Sequence, residues 1–168
     1  MKPQVLAIMS LDLRLATGEA WGREAFMLVN LLAGTAVISA TVVIHTFGLI
    51  AVTHVVAVLT GRFGENERSK IIAMLVAVLG IFVVMAGEIW LWAICQYSLG
   101  VVPDFVTALY FSTATFSTVG YGDIVPHQDW RVFAAMEGVN GFLLIGWSTA
   151  YLIAAGIRVG PFRAGEHF

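Results

Sequence analysis

The stretch Ser112-Thr-Ala-Thr-Phe-Ser-Thr118-Val119-Gly120-Tyr121-Gly122-Asp123 decides how this 168-residue chain is read. It belongs to an uncharged segment, 105–122, that starts just after Pro103, is rich in Ser and Thr, and runs into a Gly-Tyr-Gly turn. A helix crossing a bilayer needs roughly 20 mostly apolar residues, so this segment predicts a short helix and a turn that does not span. Apolar stretches flank it at 71–97, interrupted by Glu88, and at 132–157, interrupted by Glu137. A non-spanning helix between two spanning ones is a re-entrant loop. Irregular backbone at that depth is tolerated only where it is buried in protein or lines an aqueous path. Gly120 and Gly122 allow backbone angles that would strain other residues, so successive carbonyls can point the same way. Thr118 can add a hydroxyl to that row. Oxygen ligands without acidic side chains suit a large, weakly hydrated monovalent cation better than Mg²⁺ or Ca²⁺.

The whole composition agrees with a membrane setting. Fifty-nine per cent of residues are hydrophobic and 12% charged, about half the charged share of a soluble domain, and the mean hydropathy is +0.87. Nine Lys/Arg against eleven Asp/Glu give a net charge of −2, which points to no nucleic-acid partner. One cysteine, Cys95, excludes an intrachain disulfide and a cysteine-cluster metal site. No His/Cys/Asp cluster or nucleophile–base pair stands at useful spacing, so an enzyme is not expected and no cofactor is implied.

Working outward, the expected organisation is an amphipathic or irregular lead-in at 1–25 and an additional transmembrane helix at 26–60. A pore-forming region at 71–157 and a short tail at 158–168 follow. The uncharged run 25–61 makes a helix of about 55 Å, longer than the ~30 Å hydrocarbon core. It can tilt, break near 46–48, or extend into solvent. His45 and His54 lie in this run, where a structural role in the interior and a proton-sensing role both fit.

Thr118-Val-Gly-Tyr-Gly-Asp123 resembles, without a mismatch, the selectivity-filter signature of potassium channels. The resemblance covers 71–157: outer helix, pore helix near 104–117, filter and inner helix. It implies an all-α integral membrane fold, with one added N-terminal transmembrane helix, assembled as a homotetramer in the lipid of a cell membrane. It implies no soluble partner. Main-chain oxygens of Thr118, Val119, Gly120 and Tyr121, with Gly122 completing the loop, would replace the hydration shell of a permeant K⁺. Asp123 would bond behind the filter, and Tyr121 would pack against Tyr110 and Phe111. The expected function is passive, potassium-selective conduction. The competing readings are a weakly selective monovalent cation channel and a non-conducting scaffold or regulatory subunit that keeps the loop.

The inner helix resembles that of bacterial inward rectifiers in its Glu137-Gly-Val-Asn-Gly141 and Ser148-Thr149 spacing. Gly141 would match the family's hinge glycine, although close helix packing explains a membrane glycine equally well. Glu137 fits a structural hydrogen bond to pore-helix hydroxyls and also a role in gating or permeation. Leu143, Gly146, Ala150 and Ala154 would face the pore cavity. No span carries Arg or Lys at every third position, so no voltage sensor is expected. By the family's orientation the N-terminus and filter lie outside, with Trp21, Trp90, Trp92, Tyr97 and Trp130 in an outer aromatic belt.

Overall fold

A computed structural model describes the backbone of residues 3–63 and 66–159, and the side chains of 22, 24–62 and 66–159. All regular structure among them is helical: α1 (Pro3–Phe63), α2 (Glu67–Ser98), α3 (Phe105–Phe116), a short 3-10 turn (Gln128–Trp130) and α4 (Arg131–Val159). Three of these are long and apolar enough to cross a bilayer, over Glu24–Arg62, Glu67–Ser98 and Gln128–Val159, and α3 is too short. The protein is an integral membrane protein.

Of the options left open for the first helix, a break near 46–48 is not taken. The helix runs unbroken through 46–48, and residues 3–25, read as a lead-in, continue the same helix. The region 46–48 stays helical because Gly48 serves contact, not flexibility. A Cβ there would lie 2.5 Å from Val84 of α2. Four residues on, Val52 of α1 stands against Gly80 of α2, where a Cβ would lie 2.7 Å from the Val52 methyl. Each helix thus offers a glycine to the other's valine, one turn apart. Apolar burial gives little drive inside lipid, so such close approach and its van der Waals contacts are what hold two membrane helices together.

The register of these contacts sets the topology. Pairing of 48 with 84 and 52 with 80 makes α1 and α2 antiparallel. Along α1 and α4, Asn30 meets Phe133, Thr41 meets Asn140 and Thr53 meets Tyr151, so these two run parallel. α1 therefore enters from the same side as the loop preceding α4. Asn30 fastens that end: its amide donates to the Phe26 and Asp129 carbonyls at 2.8 and 2.9 Å, and its oxygen accepts from the Phe133 amide at 2.9 Å.

The main core lies under the re-entrant loop. Trp92 and Phe133 are fully buried with ring centroids 5.2 Å apart, joined by Phe116, Ala108 and Leu144. Trp92 therefore does not belong to a lipid-facing belt as its sequence position suggested. It points inward from α2, whereas Trp90, two residues earlier and about 200° round the helix, is half exposed. Trp21 lies outside the described side chains.

Candidate functional site: the re-entrant loop and its supports

α3 begins where the sequence places it. Asp104 caps it, accepting the Thr107 amide at 2.9 Å and the Thr107 hydroxyl at 2.6 Å. These bonds hold its carboxyl below the usual carboxylate range. At the other end, Ser117, Thr118 and Gly120 donate their amides to the Thr113, Thr115 and Ala114 carbonyls at 3.2, 3.0 and 3.0 Å. Carbonyls that a helix C-terminus leaves unpaired are thus satisfied by the loop that follows.

This arrangement fixes which way the loop faces. All peptide bonds are trans, so N–H and C=O of one peptide point in opposite directions. Fastening the Gly120 N–H back to α3 turns the Val119 carbonyl away from α3. The sign of φ then alternates: Thr118, Gly120 and Gly122 are positive at 62°, 53° and 76°, while Val119 and Tyr121 are not. Gly120 and Gly122 take this conformation freely. Thr118 is β-branched and strained there, a cost of about 1–3 kcal/mol. Residues 118–123 are all exposed in the single protomer.

The far end of the loop is anchored to α3. The Tyr110 hydroxyl donates to Asp123 Oδ2 at 2.7 Å, which pushes the Tyr110 phenol above its ordinary value. Tyr121 lines a small cleft with Tyr110 and Phe111, but its ring is 73% exposed. Within one protomer it is not packed away against those residues, because the cleft is shallow and open.

Behind the loop, Glu137 of α4 is fully buried. Its principal partner is a residue that the sequence reading did not single out. Gln96 of α2 donates its amide to Glu137 Oε2 at 2.8 Å. The Ser112 hydroxyl of α3 adjoins the same carboxylate without reaching hydrogen-bond geometry. Gln96 is uncharged and does not interrupt the apolar run of its span, so only register shows that it faces Glu137. Gly141, one turn on, sits where α4 crosses the end of α3: a Cβ there would lie 2.0 Å from the Phe116 carbonyl oxygen. Only glycine fits that crossing, and α4 passes through it unbroken.

Leu143, Gly146, Ala150 and Ala154 are all exposed on α4, and Ala154 also lines a groove between α4 and Thr53, Val56 and Thr60 of α1. His54 is likewise exposed, whereas His45 is fully buried against Glu88. Among the described residues no group of three or more His, Cys, Asp or Glu could hold a metal ion.

Comparison with known proteins agrees with this geometry. Residues 81–158 match the family described as ion channel. A calcium-gated potassium channel of Thermoplasma volcanium is 36% identical over 66 residues, covering 39% of this chain and 19% of that protein. The chain thus spans about a fifth of that relative. No solved structure matches. The matched region takes in the end of α2, all of α3, the loop and nearly all of α4. Over residues 81–158 the chain is thus similar to the ion channel family, and over a shorter stretch to a potassium channel of that description.

Proposed function

We propose that the chain assembles as a homotetramer and conducts K⁺ passively and selectively through a pore lined by the carbonyls of Thr118, Val119, Gly120 and Tyr121 and the Thr118 hydroxyl. The observation that carries this reading is the alternating backbone of 118–122, fastened at one end by Gly120 to Ala114 and at the other by Asp123 to Tyr110. A rigid row of carbonyl oxygens can replace a cation's hydration shell without any side-chain charge. One protomer supplies one such row and leaves it open to one side, so the row needs further copies to surround an ion. The exposed Tyr121 ring and the exposed face of Leu143, Gly146, Ala150 and Ala154 suit contact with neighbouring copies and the cavity between them. The negative C-terminal end of α3 lies next to the loop, where its dipole favours a cation.

The test is a purified, mass-measured assembly in liposomes with opposing K⁺ and Na⁺ gradients. A reversal potential near that of K⁺ supports the reading. A potential near zero points to a weakly selective cation channel, and absence of flux to a non-conducting scaffold. Gly120→Ala introduces a Cβ at φ 53°, costing roughly 1–2 kcal/mol. It and Tyr121→Ala should each abolish K⁺ selectivity while the protein remains in the membrane.

A further inference from the structure

The added helix α1 meets the rest of the molecule at one ionisable centre. His45 Nδ1 lies 2.9 Å from Glu88 Oε1, and both side chains are fully buried. On the other side of the ring, Nε2 lies 3.4 Å from the Ser148 hydroxyl of α4. That hydroxyl donates to the Met85 sulfur of α2 at 3.7 Å. The Trp147 ring closes the site, 5.3 Å from the imidazole. Three helices thus share one small polar network.

The donors can be counted. A serine hydroxyl has one hydrogen, and Met85 Sδ and His45 Nε2 both lie within its reach. Burial of both side chains favours a pair without net charge, which places one proton between Nδ1 and Oε1 and leaves a hydrogen on Nε2 to meet Ser148. With Nε2 protonated, the short Nδ1–Oε1 contact has two forms: an imidazolium donating to a carboxylate, or a carboxylic acid donating to a neutral ring. Both hold the same number of protons, and both are neutral as a pair. Remove that proton and the ring must present Nδ1–H to an ionised Glu88, while Nε2 becomes an acceptor for the Ser148 hydroxyl. The centre would then carry a net negative charge out of water, with Glu88 Oε2 lacking any donor.

We propose that His45, Glu88 and Ser148 form a one-proton binding site that governs how tightly α1 is docked on the pore helices. With the proton bound, the interface carries no net charge. When the proton leaves, the buried charge favours separation of α1 or entry of water. Since the docked form holds the proton and the separated form releases it, docking is strong at lower pH and weakens as pH rises, by up to tenfold per pH unit. No other titratable group faces the centre among the described residues. α2 contributes Glu88 and the Met85 thioether, and α4 contributes Ser148 and Trp147. Tyr151, held by Thr53 at 2.8 Å, is the next titratable group along α4 in one direction. Cys95 and Glu137 lie about two or more turns away towards the loop. The effect on ion flow rests on the channel reading, but proton binding does not.

The test uses the full chain in lipid nanodiscs with ¹⁵N-labelled histidine, His45 being assigned by comparison with His45→Gln. The expected spectrum has a protonated Nε2 at neutral pH, lost in a single one-proton step as pH rises. In Glu88→Gln the side-chain amide can still donate to Nδ1, so Nε2 keeps its hydrogen and the step disappears. An Nε2 without hydrogen at neutral pH in the wild type overturns the proposal, and that measurement needs no variant to fold. K⁺ flux should change over the same pH interval in the wild type and stay flat in Glu88→Gln. Flux profiles that coincide while the proton step is present would overturn the docking role. Absence of flux at every pH counts against the channel reading and leaves the proton measurement to decide this one.

Discussion

The Tyr110 hydroxyl donates to Asp123 at 2.7 Å, tying the outer end of the loop to the middle of the helix that precedes it. With the Gly120–Ala114 bond it makes two fastenings on a six-residue loop that contains a strained threonine. Tyr110→Phe removes one of them with little change in shape. The expected effect is a looser outer end of the loop, read as a reversal potential shifted from that of K⁺ towards zero. An unshifted potential would show that the other fastening suffices.

The same bond predicts an alkaline limit. The Asp123 carboxylate pushes the Tyr110 phenol above its ordinary value, so the neutral phenol is the form that holds the loop. Its contribution is present below about pH 10 and is lost as pH rises through the raised value. Tyrosinate absorbance, wild type minus Tyr110→Phe, should show this phenol ionising above the usual range. A difference titrating at the ordinary value would exclude the bond.

The three spans, α3 and the loop could be read from the sequence, because each rests on local signals. Charges vanish over the spans, Asp104 follows Pro103, and the six residues 118–123 are contiguous. The polar pairings could not be read. His45 and Glu88 stand 43 residues apart and Gln96 and Glu137 stand 41 apart, and each was seen singly or not at all. In lipid the outward face of a helix is as apolar as its inward face, so periodicity carries no contrast between them. For the same reason Trp92 could not be told from Trp90, nor Gly48 from a break in its helix.

Gly141 and Gly138 separate packing from hinge motion. A Cβ at 141 meets the Phe116 backbone at 2.0 Å, whereas one at 138 reaches only ordinary contact with Thr115 at 3.7 Å. Gly141→Ala must push α4 off the end of α3, so it should lower stability by about 1–3 kcal/mol or more. Gly138→Ala should be neutral or slightly stabilising through helix propensity. Thermal unfolding in detergent compares them. Equal stability of the two variants, with flux lost only in Gly141→Ala, would make Gly141 a hinge instead of a packing position.

The reciprocal glycine–valine contacts predict a rescue. Gly48→Ala drives a Cβ into the Val84 methyls at 2.5 and 2.7 Å, and valine has no free rotamer in a helix to retreat to. A loss of about 1–3 kcal/mol is expected. Gly48→Ala combined with Val84→Ala removes those methyls and should recover most of it. A double variant as unstable as the sum of the two singles would mean that α1 and α2 are not held by this contact.

Glu137 offers the last separation, between a support and a participant in conduction. Its Oε2 accepts from Gln96, while Oε1 and Gln96 Oε1 have no partner. Glu137→Gln keeps an acceptor for the Gln96 amide and cannot ionise, so stability should hold within about 1 kcal/mol or rise. Glu137→Ala strands Gln96 and opens a cavity behind the loop, for an expected loss of about 2–4 kcal/mol. Unfolding measurements on both variants, beside their K⁺ flux, decide the role. If Glu137→Gln is stable and conducts, the carboxylate is a positioning group that binds α2 to α4 behind the loop. If it is stable and silent, the charge itself acts in gating or permeation, and the hydrogen bond from Gln96 serves to hold that charge in place.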